Sequence, residues 1–227
     1  MNLVKQLPIG LSLACVMFMS SCSKEDAPTP GSVVTNESSN LREIGPVLIQ
    51  AQLPPTAGPT CVGCAANDWY FVLPARAATS SLTAYAGNSS KQWVQALPAP
   101  SIGVGSFVTV VNDAEYVGNA FHVINNLIKG QKYRVTFSVS TSSLNDANGE
   151  SPYASKAKVI ISLGGDDIVK KTIDFTGKHN QWITETLEFV ATHYAYSFDI
   201  QGFSPNGETK ATYTNLHVGK DAVQKIN

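Results

Sequence analysis

The residues with the clearest chemistry are two cysteines three apart, in the stretch Thr60-Cys61-Val62-Gly63-Cys64. A Cys-x-x-Cys pair is a redox centre when its first thiol opens a helix, half of a zinc site when a second pair exists, or a disulfide staple when the compartment is oxidising. Here Ala65-Ala66-Asn67-Asp68 leads toward Trp69-Tyr70-Phe71-Val72, which reads as a strand and not as a helix. The chain has four cysteines in all, and no second Cys-x-x-Cys. His122, His179, His193 and His217 are scattered without ligand spacing. The choice among staple, free thiols and metal or redox centre therefore turns on the compartment.

The first residues address that question. Lys5 precedes an uncharged apolar run from Leu7 to Phe18, followed by Met19-Ser20-Ser21-Cys22. This is the layout of a secretory signal, and the run is shorter than the ~20 residues a membrane-spanning helix needs. The small-small-Cys ending resembles a bacterial lipoprotein signal. The resemblance implies cleavage before Cys22 and fatty acylation of that residue, which tethers the chain to a membrane. Ser23-Lys24-Glu25-Asp26 resembles the export tag of Bacteroidetes-type surface lipoproteins, implying an outer-membrane, surface-exposed location. Ordinary secretion is the alternative. Residues 1–21 are then signal peptide. In an oxidising envelope, Cys61 and Cys64 are expected to form a local disulfide, with free thiols and a metal or redox centre as the weaker alternatives.

Residues 22–40 carry no aromatic side chain after the lipidated cysteine and are rich in Ser, Thr, Pro and charge. They read as a flexible linker, whose last eighteen residues would reach roughly 20–25 Å as a coil. Residues 41–227 are long enough for one domain with a core. The formal net charge is −1 and there is no basic cluster, so the sequence gives no footprint for a nucleic-acid partner.

The elements that must position any site are strands. Tyr133 to Ser140 alternates apolar and polar without a break, the signature of a half-buried strand. Residues 158–163 and 168–175 are strand-like and flank Gly164-Gly165-Asp166-Asp167, a hairpin-turn sequence that accounts for both aspartates. Residues 183–189, 196–201 and 210–218 continue the pattern. Further strands are expected at 44–53, 69–73, 91–97, 106–111 and 121–127, and 75–86 is ambiguous. The fold class is all-β, an antiparallel β-sandwich.

The segments Asn126 to Tyr133, Gln181-Trp182-Ile183-Thr184 and Leu187 to Thr192 resemble the galactose-binding-like jelly rolls, a group that includes carbohydrate-binding modules. The resemblance spans about 121–218 and implies a jelly roll with a glycan ligand. In many relatives an acid in the last strand, followed by Asn, helps hold a structural calcium. Thr214-Asn215 stands there instead, so no cofactor is expected and calcium is left as an open alternative.

A glycan site needs a flat aromatic surface ringed by hydrogen-bonding groups. The candidates are Trp69, Tyr70, Trp93, Tyr116 and Tyr153, while Trp182 matches a position that packs structurally. Each also has a reading as core or rim packing. Arg134, Asp199 and Gln201 are polar strand residues that could line a binding face. Catalytic motifs are missing: there is no Gly-x-Ser-x-Gly elbow, zinc-protease helix or phosphate loop, and Asp113 and Glu115 lack an evident partner for a glycosidase pair. The expected function is a lipid-anchored binding module for glycan, without catalysis. The alternative is a structural or adhesive lipoprotein that contacts an envelope protein.

Overall fold

The computed structural model describes residues 50–103, 105–147 and 149–227. The signal peptide, Cys22 and the linker lie outside these residues, as does most of the strand expected at 44–53. Its described end contributes one isolated bridge, Gln52 to Asn125.

Among the described residues thirteen strands follow in order: β1 (Tyr70–Phe71), β2 (Ala77–Ser80), β3 (Phe107–Asn112), β4 (Asn119–Ile124), β5 (Lys132–Ser142), β6 (Asn145–Asp146), β7 (Gly149–Glu150), β8 (Lys156–Leu163), β9 (Asp166–Asp174), β10 (Ile183–Val190), β11 (Tyr196–Phe203), β12 (Thr212–His217) and β13 (Val223–Ile226). One sheet has the order β1-β4-β11-β8-β9. The other has β10-β5-β12-β3-β2, with β13 beside β5. Every pairing is antiparallel. The period-two alternation thus produces the sandwich it predicts, because each sheet has an apolar face that only the other can cover.

Between the sheets, Val135, Phe137 and Val139 of β5 meet Phe198 and Ile200 of β11 and Val159 and Ile161 of β8, all buried. Phe137 and Phe198 pack edge to face, 5.7 Å between centroids. Along one side of the sandwich, an ion pair between Lys171 of β9 and Glu185 of β10 links the two sheets.

Two local expectations need correction and one ambiguity resolves. The turn between β8 and β9 is Gly164-Gly165 alone, at φ +62° and +98°, a left-handed pair that glycine adopts without strain. Asp166 and Asp167 therefore open β9 instead of forming the turn. Residues 91–97 make isolated bridges at Gln92 and Trp93 and no strand. The ambiguous stretch 75–86 divides into a 3-10 turn at Pro74–Arg76, strand β2 and a second 3-10 turn at Tyr85–Gly87.

The segment that includes 91–97 serves another purpose. Tyr85, Trp93 and Leu97 form a second buried cluster with Phe107, Val111 and Tyr213, against which Trp182 packs. These residues cover the outer face of the six-stranded sheet where β2, β3, β12 and the end of β5 lie. Polar side chains are buried beneath them. The Asn215 amide donates to Ser140 Oγ at 3.1 Å and Ser142 Oγ at 2.8 Å. Thr109 Oγ1 lies 2.8 Å from both Asn215 Oδ1 and Ser80 Oγ. Such a network is tolerable under an apolar lid because its members satisfy one another.

Candidate functional site

The outer face of the five-stranded sheet keeps its accessibility. Strand register fixes what it presents. One row across the sheet reads Tyr70, Phe121, Asp199, Ile160, Lys170, each directly opposite the next. The adjoining row reads Asn119, Gln201, Lys158, Thr172, and the row on the other side reads Val123, Ser197, Ser162, Asp167. Five strands make the central row about 19 Å long. Between Phe121, Val123, Leu163 and Asp199 the face dips into a shallow depression of about 380 Å³.

Tyr70 and Phe121 stack with centroids 5.4 Å apart and planes 25° from parallel. Tyr70 is 56% exposed and Phe121 is half-buried, so the pair forms an apolar platform open to solvent. Directly across from Phe121, the Asp199 carboxylate is fixed by two hydroxyls. Ser197 Oγ donates to Oδ2 at 2.8 Å and Ser162 Oγ donates to the same oxygen at 3.3 Å. Among the described residues none donates to Oδ1. Desolvation pushes the carboxyl above its ordinary value despite the serine donors, and the Asp167 charge adds to the rise. Asn119, in the adjoining row, has its Oδ1 buried without a hydrogen-bond partner among the described residues.

Asp167, two strands away from Asp199, is engaged differently. Lys170 approaches it at 3.1 Å and Lys158 at 3.7 Å, and its carboxyl is held low, first by the Lys170 hydrogen bond. An aromatic platform beside a half-desolvated acceptor, with amides and a lysine in the next row, can grip a flat, hydroxyl-rich molecule. The rings would take its apolar side, and Asp199, Asn119, Gln201 and Lys158 its polar edge.

The five aromatic candidates separate. Trp69 is 1% exposed in the main core, edge-on to Phe198, and its indole N–H donates to the Pro54 carbonyl. Trp93 is 5% exposed in the covering cluster, and its N–H donates to the Ser81 carbonyl. Neither presents a face to a ligand, which corrects the expectation for both. Their size is consumed by packing, and each indole nitrogen finds a backbone acceptor. Tyr116 is exposed in the β3–β4 loop beneath the Arg76 guanidinium, 4.9 Å from its ring centre. Arg76 also pairs with Asp113, whose carboxylate accepts the backbone N–H groups of Glu115 and Tyr116; Asp113 therefore has a structural assignment. Tyr153 stacks on His179 at 4.0 Å and accepts a hydrogen bond from Asn180. Tyr116 and Tyr153 thus stand apart from the Tyr70 platform. Trp182 packs on Phe107, 5.2 Å between centroids, with its N–H donated to Pro98.

Of the polar trio, Asp199 and Gln201 share the face with Tyr70. Arg134 does not: it lies on the outside of the opposite sheet, bonded to Glu188. Phe121 is the residue that the sequence reading passes over, although it falls inside the strand expected at 121–127. Among the described residues no group of three or more His, Cys, Asp or Glu is arranged to hold a metal.

Cys61 and Cys64 are joined as a disulfide, Cα atoms 5.1 Å apart. Their loop lies along the free edge of β2. Gly63 N–H donates to the Ala77 carbonyl at 3.1 Å, and Thr79 N–H donates to the Cys64 carbonyl at 3.1 Å. The loop thereby occupies hydrogen-bonding groups that an unprotected edge strand would offer to another chain.

No protein-family model matches the chain, and no curated protein matches it in sequence. Solved structures similar to it include a cyclase from Fischerella sp. TAU in complex with 4-(1H-indol-3-yl)butan-2-one, at 13% identity and TM-score 0.46, covering 72% of this chain and 88% of that one. Another is TmCBM61, a carbohydrate-binding module, in complex with beta-1,4-galactotriose, at 12% identity and TM-score 0.40, covering 71% and 89%. A third is the Clostridium thermocellum xylanase 10B, its CBM22-1 and GH10 modules complexed with xylohexaose, at 11% identity and TM-score 0.40, covering 79% of this chain and 30% of that one.

Proposed function

We propose that the outer face of the five-stranded sheet is a glycan-binding surface, and that the protein displays it from a lipid anchor at Cys22 on the outer membrane. The observation that carries the binding reading is the cross-sheet row Tyr70–Phe121–Asp199, with a stacked aromatic pair directly beside an oriented carboxylate. Sugar rings have one apolar side and an equatorial rim of hydroxyls, and this row offers a surface to each. The reading assigns binding and not hydrolysis to the face. Glycoside hydrolysis uses two carboxyl groups across the scissile bond, whereas Asp199 is flanked on its row by Phe121 and Ile160, and Asp167 is occupied by lysines. The membrane address rests on residues 1–26 alone.

Calorimetric titration against a panel of neutral and acidic polysaccharides tests it, with Phe121→Ala and Tyr70→Ala as variants. A panel member that binds should lose about tenfold or more in affinity with either substitution. Binding that is indifferent to both substitutions would put the site elsewhere. A complete absence of glycan binding favours the competing reading, in which the same platform contacts an envelope protein; the burial of Trp69 and Trp93 speaks for that reading, because it removes two aromatic candidates.

A further inference from the structure

One end of the sandwich carries apolar side chains that the glycan face does not use. Ile128 is 52% exposed, Val190 52% and Tyr194 66%. The first lies in the loop after β4, the second at the end of β10 and the third in the loop before β11. Register brings them together: Val190 is opposite Lys132, and Tyr196 is opposite Ile124. Backbone bonds then tie the loops to each other. Leu127 N–H donates to the Tyr194 carbonyl at 3.0 Å, Gly130 N–H to Ala191 at 2.7 Å and Ala191 N–H to Gln131 at 2.9 Å. Buried phenols hold them from below, with Tyr133 Oη accepting from Ile128 N–H and Tyr196 Oη from Thr192 N–H. The exposed side chains therefore stand on a fixed scaffold and are not the ends of loose loops.

Their chemistry suits a lipid interface. Lys129 Nζ sits 4.8 Å from the centre of the Tyr194 ring. A tyrosine with aliphatic neighbours and a lysine that can reach outward is the side-chain mixture that settles at headgroup level. On the adjoining stretch of β10, the Glu188 carboxylate is taken up by Lys132 and Arg134, which reduces the repulsion an anionic surface would feel.

The path of the chain gives the second argument. Gln50, the first described residue, has its carbonyl 3.4 Å from the Asn126 amide nitrogen, and Gln52 bridges Asn125. The polypeptide coming from Cys22 thus joins the fold at the end that bears Ile128. We propose that this end seats on the membrane surface, with Ile128, Val190 and Tyr194 reaching below the headgroups, and so holds the five-stranded face upright beside the bilayer. The inference rests on the anchor reading: three apolar side chains alone give marginal membrane affinity, and a tether turns that into a favoured orientation by raising the effective concentration.

The test uses the mature lipidated chain reconstituted in vesicles of phosphatidylcholine and phosphatidylglycerol, with bromine on the acyl chains of the lipid. Tryptophan is introduced by Tyr194→Trp, or by Val117→Trp in the β3–β4 loop at the opposite end, also 50% exposed. The added emission at 194 should be quenched by brominated lipid and that at 117 should not, since a seated residue lies about 5–10 Å into the headgroup and acyl boundary. Adding Ile128→Asp to the Tyr194→Trp chain should remove the quenching. Equal quenching at both positions, quenching at neither, or quenching that survives Ile128→Asp overturns the proposal. The mass of the Cys22 peptide reports the anchor separately. If it carries no acyl group, the anchor reading fails by itself, and the comparison is repeated with chain added to excess vesicles. There a retained difference between 194 and 117 supports the seating and a lost difference overturns it.

Discussion

Replacing Asp199 by Asn separates a ligand-gripping carboxylate from a merely structural one, because the two roles predict opposite combinations of effects. Both serine hydroxyls donate to Oδ2. To keep them, the amide of the variant must put its oxygen in the Oδ2 place, which leaves an NH2 group where Oδ1 stood. A ligand hydroxyl that donated to Oδ1 then meets a donor and loses a hydrogen bond to a charged group. That loss is about 1.5–3 kcal/mol, or a roughly ten- to hundredfold weaker Kd. Stability should move the other way. Burial raises the folded-state pKa of Asp199 above its ordinary value of 3.8, so the ionised carboxylate costs stability at pH values above the folded pKa. The cost shrinks as pH falls through the folded pKa and is gone below the unfolded one, where both states are protonated. Asp199→Asn should therefore unfold at higher urea than the parent at pH 7 and lose that advantage toward pH 3. Calorimetry for Kd and urea titrations at several pH values supply the readings. Unchanged affinity combined with lower stability at pH 7 would refute the argument, since it would make Asp199 an acceptor for its serines and nothing more.

Three other perturbations test the framework that positions the face. Trp93→Ala should destabilise the fold by about 3–5 kcal/mol in urea unfolding while leaving glycan affinity of the folded protein unchanged, because Trp93 belongs to the cover of the opposite sheet. Gly202→Ala should cost about 1–3 kcal/mol or more by the same assay; its Cβ would sit 2.2 Å from Asn112 Nδ2 and 2.3 Å from Thr214 Oγ1, and 2.8 Å from Thr214 Cβ. Reducing the Cys61–Cys64 bond should lower stability by about 2 kcal/mol at most, since the closed loop is only four residues long. A larger loss on reduction would mean that the loop's cover of the β2 edge depends on the bond.

Much of the architecture is readable from local sequence because alternation reports which face of a strand is wet. It does so well for β5, β8 and β11, whose inward residues are mostly apolar, and for β10 apart from Glu185, which stands in the inward phase opposite Phe137. It also requires the neighbours Trp69 and Tyr70 to point to opposite faces in extended chain, although only the structure, which buries the first and exposes the second, says which is which. What alternation cannot report is which sheet a polar residue belongs to. Arg134 and Asp199 look equivalent in sequence, yet register puts them on outer faces of different sheets. Phe121 is hidden for a related reason. Ala120, Phe121, His122, Val123 and Ile124 are apolar or aromatic on both faces, so no contrast marks Phe121 as outward-facing. The short strand β13 has only Val223 and Ile226 to announce it, and its pairing with β5 is long-range.

The unequal fate of the two outer faces is the physical reason that one of them stands out as the candidate site. Both sheets alternate, so sequence alone offers two wet surfaces. The six-stranded sheet loses much of its own because Tyr85, Trp93 and Leu97 fold over it, and its serines, threonines and Asn215 turn from solvated groups into a buried network. Such a cover requires its apolar residues to find partners on the sheet beneath, and Phe107, Val111 and Tyr213 supply them. The five-stranded face has no comparable arrangement: of its outward apolar residues, Tyr70, Phe121 and Val123 gather toward one side and Ile160 sits on β8, while Asp199, Gln201 and Lys158 occupy the middle strands. Apolar surface kept accessible beside a carboxylate that is partly desolvated lowers the cost of accepting a ligand, because part of the dehydration has already been met in folding. The charged side chains that solvate β9, one strand beyond Ile160, contrast with this mixed apolar and acidic surface.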